Sequence, residues 1–164
     1  MKTTILFFAF LVTCVSTAQD FELIKPNKKD LRTKFQENSS LDIIYLYLSN
    51  NFTSITGKQN VKKIDKNNTQ PCSFTETFSN TIKYSYFSCE EEEGGVTTLI
   101  EFPKIEKNKI TNWIEQIYEV DLTDIPNEWN SNKSEYRPKD KGAGCYFILK
   151  SKKDKWLIEV SCGC

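Results

Sequence analysis

Residues 72–89 read CSFTETFSNTIKYSYFSC. Cys72, Phe74 and Phe78 alternate with Ser73, Thr75, Thr77 and Ser79, and a second aromatic run follows from Ile82 to Cys89. A period of two in β-branched and aromatic residues predicts two strands, and Asn80-Thr81 between them predicts the turn of a hairpin. Centred there, the turn sets Cys72 directly opposite Cys89, at a separation that a disulfide spans.

Downstream, Gly94-Gly95 is a turn signal, and Val96 to Phe102 is rich in β-branched and apolar residues, so a third strand is expected up to Pro103. Ile110, Trp113, Ile114, Ile117 and Tyr118 then trace the stripe of an amphipathic helix, with Asn108 as its cap and Pro126 beyond its end. Residues 124–144 show no sustained period and are expected to form one long loop, with Pro126 and Pro138 at its ends and Gly142-Ala143-Gly144 closing it. Two more strands are expected at Cys145 to Lys150 and Trp156 to Cys162. A four-residue turn at 151–154 puts Cys145 opposite Val160 with Cys162 diagonal, and an adjustment of one or two residues brings Cys145 to Cys162.

Upstream, Leu41, Ile44, Tyr45, Leu48 and Phe52 share a helix face, with Ser39 or Ser40 placed as the cap; Ile43 to Leu48 also suits a buried strand. Residues 19–40 are polar and read as a loosely ordered lead-in. Residues 56–71 read as a polar connection with one short extended piece near Val61. The expected fold is therefore α+β, a mainly antiparallel sheet of about five strands in the order α-β-β-β-α-β-β, with the Trp113 helix on one face and no internal repeat.

The N-terminus carries Lys2, an apolar stretch from Ile5 through Val12, and the small-residue ending Ser16-Thr17-Ala18. This order of parts predicts a signal peptide over residues 1–18, cleaved between Ala18 and Gln19, and a protein exported to the periplasm or beyond. A lipoprotein anchored at Cys14 is the alternative, although Thr13 is bulkier than the residue expected before a lipidated cysteine. Residues 41–164 read as a single domain, with no later stretch long and apolar enough for a transmembrane helix. Of the 22 basic residues only Arg32 and Arg137 are arginine, a bias that suits an AT-rich bacterial genome.

The chain has no histidine, and its 22 basic residues balance 22 acidic ones. The first fact removes the usual base of serine and cysteine hydrolases and the commonest zinc ligand; the second implies no nucleic-acid partner. Beyond Cys14 there are five cysteines, Cys72, Cys89, Cys145, Cys162 and Cys164. The first four are the disulfide candidates, and Cys164 is left as a free or redox thiol. Cys162-Gly163-Cys164 offers a second use, because two thiols around a glycine can close a strained, exchangeable ring or hold a soft metal.

Other features are weaker. Glu90 to Glu93 would make an acidic hairpin tip, and Lys150, Lys152, Lys153 and Lys155 a basic one. Asn38, Asn51, Asn67 and Asn132 begin glycosylation tripeptides, which carry no meaning in a bacterial host. Glu101, Glu128 and Glu135 are the acids from which a hydrolytic carboxylate pair would be drawn, with no spacing that selects two of them. Trp129, Tyr136 and Arg137 are the candidate binding residues, because a long loop bearing two aromatics and one of two arginines suits recognition.

These features point to an exported, non-catalytic binding or interaction domain, an inhibitor or accessory protein, with another exported protein or a cell-wall component as its partner. No catalytic residue, metal or cofactor is expected. A thiol-disulfide or metal-thiolate protein and a carboxylate-dependent hydrolase are the alternatives.

Overall fold

The computed structural model describes residues 21–37, 42–64, 71–89, 95–121 and 125–163. Helices α1 (Lys28–Glu37) and α2 (Ile43–Asn51) lead into strands β1 (Gln59–Lys62), β2 (Ser73–Thr77), β3 (Lys83–Phe87) and β4 (Val96–Pro103). Helix α3 (Lys107–Asp121) follows, then β5 (Asn127–Trp129), β6 (Glu135–Pro138), β7 (Gly144–Ser151) and β8 (Lys155–Gly163). The strands form one antiparallel sheet in the order β1-β2-β3-β4-β8-β7-β6-β5.

The α+β class and the antiparallel sheet match expectation, but the sheet has eight strands rather than about five. Three strands account for the difference. β1 is the extended piece near Val61, and β5 with β6 occupies the stretch read as a long loop. At three and four residues these last strands are too short for a period of two to separate them from a polar loop. Their turn is built by side chains: Asn130 Oδ1 accepts from the Ser134 and Glu135 N–H groups.

Each half of the domain repeats one plan. α2 precedes the meander β1 to β4, α3 precedes the meander β5 to β8, and the halves join where β4 runs antiparallel to β8. No sequence repeat accompanies this repeat of topology.

The helices cover one face of the sheet. Phe102 meets Trp113 at 5.0 Å between ring centres, Tyr45 meets Phe74 at 5.3 Å and Tyr118 meets Tyr136 at 5.4 Å. Ile110, Trp113, Ile114, Ile117 and Tyr118 are all buried, so the α3 stripe faces the sheet as its spacing predicts. Asn108 is not the cap of α3 but its second residue, and its side chain accepts from the N–H of Lys109.

Within the lead-in, residues 21–37 include a helix and are tied to the rest of the domain. Asn27 caps α1, its side chain accepting from the Asp30 N–H at 3.2 Å, and Leu31 is buried in the core. The segment before α1 is pinned as well: the Phe21 ring lies against Phe52 and Phe102, and the Tyr47 hydroxyl donates to the Ile24 carbonyl at 2.6 Å. The cap of α2 is Asp42 rather than Ser39 or Ser40, which lie outside the described residues, as do residues 1–20 with the signal-peptide reading and Cys14.

Disulfides join Cys72 to Cys89 and Cys145 to Cys162, with Cα separations of 5.2 and 4.1 Å. Both hairpin registers differ from expectation. The first turn holds three residues, Ser79–Thr81, and pairs Ser73 with Phe87, so Cys72 faces Ser88 and reaches Cys89 one residue on. In the second, Ser151 pairs with Trp156 and the Lys152 N–H donates to the Lys155 carbonyl, so the turn centres on Lys153-Asp154, and this register shift of two places Cys145 directly opposite Cys162. Cys162 is thereby bonded across the hairpin and not to Cys164, which lies outside the described residues together with Glu90 to Glu93.

Non-reducing peptide mapping is expected to recover these two bridges. Each spans 17 residues of sequence, so alanine replacement of either pair is expected to cost about 3 kcal/mol in urea unfolding. A Cys162–Cys164 peptide in the map would contradict the second bridge.

Candidate functional site

The fold does not bring Trp129, Tyr136 and Arg137 together. β5 pairs Trp129 with Tyr136, and both project toward the helices. The Trp129 indole donates to Glu115 of α3 at 2.7 Å, its ring lies 5.0 Å from that of Tyr136, and Tyr136 is 8% exposed. Burial, with Glu115, Tyr118 and Glu119 nearby, pushes the Tyr136 hydroxyl up to about 12. These two aromatics pin the outer hairpin to α3. Arg137 alternates to the opposite face, where it pairs with Glu135 at 2.8 Å.

Of the candidate carboxylates, Glu101 stands apart from the other two. Glu101 on β4 and Glu135 on β6 are separated by β8 and β7, roughly 14 Å at ordinary strand spacing. Each is also engaged, Glu101 with Lys155 at 2.6 Å and Glu135 with Arg137. Glu128, exposed on the edge strand β5, stands across from Arg137. Among the described residues no three acids or cysteines are grouped to hold a metal ion.

What the topology does assemble is an open sheet face. Along β4, β7 and β8 the buried residues alternate with partly exposed ones, and the second set turns away from the helices. Leu99 lies opposite Glu159, Glu159 opposite Ile148, and Leu157 stands between Glu101 and Lys150. None of the three aliphatics belongs to the helix-side core. Among them lie the ion pairs Lys155–Glu101 and Lys150–Glu159, each at 2.6 Å, with Arg137–Glu135 farther out on β6. The lysines read as a basic tip thus lie partly on this face, with Lys150 and Lys155 in its ion pairs. Glu101 holds the Lys155 ammonium in its charged form, raising its pKa.

Two acids, half-buried Asp42 and buried Glu76, escaped the sequence reading. Asp42 caps α2 by accepting from the Ile44 N–H at 2.7 Å, and its other oxygen accepts from the Tyr84 and Thr98 hydroxyls at 2.9 Å each. It thus ties the start of α2 to β3 and β4. Glu76 of β2 accepts from the hydroxyls of Tyr45, at 2.9 Å, and of Ser54. The tyrosines respond as buried donors to carboxylates must: burial first, then Glu76 for Tyr45 and Asp42 for Tyr84, raises both hydroxyls. The one clue in sequence is an acid directly before an apolar run, the place of a helix cap.

Two hollows remain. A shallow cleft of about 220 Å³ lies between residues 22–26 and α3, beside Trp113, whose buried indole N–H has no hydrogen-bond partner. A groove of about 460 Å³ runs past Gly95, Gly142, Gly144 and Gly163 at one end of the sheet. Its wall is drawn in by Gly144, where φ is +148° and a Cβ would come within 2.8 Å of the Pro138 ring. Comparison with known protein families, with curated proteins and with solved structures finds no match.

Proposed function

We propose that the chain is an exported, non-catalytic interaction domain that binds another exported protein through the open face of its sheet. The observation that carries this is an open face on which Leu99, Leu157 and Ile148, from three adjacent strands, are interleaved with the paired charges of Glu101, Glu159, Lys150 and Lys155. Aliphatic side chains mixed with charged ones give the composition that non-obligate protein–protein interfaces share, and the described helices all lie on the other face. The paired charges favour a folded partner with mixed charge of its own over an acidic or basic polymer. Two disulfides suit an oxidising compartment, and no described helix is long and apolar enough to cross a membrane.

A photo-crosslinking amino acid placed at Leu99 or Leu157 in the living host tests this reading. Protein adducts are expected from both positions and not from Lys141, and Leu99→Lys combined with a crosslinker at Leu157 is expected to abolish them. Because Leu99 is only half-buried, that substitution should cost about 1 kcal/mol or less in stability. Adducts that persist in the Leu99→Lys background, or that form only with glycan, would overturn the proposal.

A further inference from the structure

The chain has three tryptophans, and two of their indole N–H groups find acceptors inside the domain: Trp129 at Glu115, and Trp156 at the Ile105 carbonyl 2.8 Å away. The third does not. Trp113 is 2% exposed and its N–H has no partner, and three residues on along α3 the buried amide oxygen of Gln116 has none either. A buried polar atom left unbonded is costly, so a donor and an acceptor left over on one wall need a reason. Both residues line the cleft between α3 and residues 22–26, where Lys109, Asn112, Trp113 and Gln116 form one side at the i, i+3, i+4, i+7 spacing of a helix face.

The cleft carries both signs of charge. Lys25, Lys109 and Glu22 line it, and none of the three makes an ion pair with another described residue. Leu23 and Pro26 add apolar surface. A ligand that satisfies this set brings an acceptor for an indole N–H and a lysine, a donor for an amide oxygen and a carboxylate, and a small apolar group. An inorganic anion brings no such donor, and a simple amine no acceptor. At about 220 Å³ the space suits a ligand the size of one amino acid. We propose that this cleft binds a free α-amino acid with an aliphatic side chain, its carboxylate accepting from Trp113 and Lys109 and its ammonium donating to Gln116 beside Glu22. The ligand reaches the two buried atoms when residues 22–26 draw back, a segment in which Glu22, Ile24 and Lys25 are already exposed. The cleft lies on the helix side of the sheet, so this binding stands or falls separately from the protein-binding proposal.

Titration of the isotope-labelled protein with L-leucine, followed by nuclear magnetic resonance at the three indole N–H signals, tests it. The signal missing from Trp113→Phe belongs to Trp113; it is expected to move as leucine is added, while those of Trp129 and Trp156, bonded within the domain, stay in place. Isocaproate, which is leucine without the ammonium, and isoamylamine, which is leucine without the carboxylate, should each bind about tenfold more weakly or worse. Gln116→Met and Lys109→Met are each expected to lower the affinity for leucine about tenfold, and Lys141→Gln should leave it unchanged. A thermal midpoint near that of the parent will show that these variants are folded. A Trp113 signal that leucine does not move, an equal response to the acid or the amine alone, or an affinity indifferent to Gln116→Met would overturn the proposal.

Discussion

Replacing Trp113 with alanine is expected to lower the unfolding free energy by about 3–5 kcal/mol, the cost of emptying a large aromatic site in a packed core. Trp113 is 2% exposed and sits where the layers meet, 5.4 Å from the Tyr47 ring of α2 and 5.0 Å from the Phe102 ring of β4. No neighbour can move in without loosening α2, α3 or the centre of the sheet. A domain of this size holds only about 5–15 kcal/mol of net stability, so the variant should unfold at a much lower urea concentration. Trp113→Phe separates packing from polarity. The indole N–H makes no hydrogen bond, so phenylalanine gives up volume alone and is expected to cost about half as much. Equal midpoints for Trp113→Ala and the parent protein would contradict the packing described.

The second large effect is expected at Asp42. Asp42→Ala removes the acceptor for three buried donors, the Ile44 N–H and the hydroxyls of Tyr84 and Thr98, and with it the cap of α2. An unsatisfied buried donor costs about 1–3 kcal/mol and a lost cap about 1 kcal/mol, though the two hydroxyls can turn toward other acceptors, so a loss of about 3–4 kcal/mol is expected. Asp42→Asn should behave differently. Its oxygen can serve Ile44, and the hydroxyls can rotate to accept from its amide, which keeps stability within about 1 kcal/mol of the parent at neutral pH.

The two variants also separate by pH. Burial is the largest influence on the Asp42 carboxyl and lifts its pKa above the ordinary 3.8, against the lowering effect of its bonds from Ile44, Thr98 and Tyr84. An acid whose folded pKa exceeds its unfolded one binds more protons when folded. Its contribution to stability is complete below the unfolded value, near pH 4, and is lost as pH rises through the folded value. Urea midpoints measured from pH 4 to pH 8 should therefore show Asp42→Asn gaining on the parent as pH rises. A constant difference between them would mean that burial does not control this carboxyl.

The sequence by itself determined the elements that are long and regular. The hairpin from residue 72 to 89, β4, the stripe of α3 and the strands β7 and β8 were legible because a period of two or of 3.6 repeats often enough in each to be recognised. The pairing of the cysteines was legible for a related reason. Residues facing each other across a hairpin stay within bridging distance even when the turn is misjudged, and both bridges form although both registers shifted.

Tertiary structure decided what is short or polar. α1 buries only Leu31 fully, and it is held by contacts distant in sequence, among them the Arg32 guanidinium donating to the Glu119 carbonyl at 3.1 Å. β5 and β6 exist because β7 offers an edge to pair with and α3 supplies Glu115 for Trp129. That pairing sent Trp129 and Tyr136 to the helix side and Arg137 to the open face, which dispersed the expected recognition cluster. In the same way the open face unites Leu99 with Ile148 and Leu157, from strands far apart in the chain that become neighbours only because β4 pairs with β8. Local pattern specifies which way a side chain alternates, but which side chains share a surface depends on strand order, and strand order is set by long-range pairing.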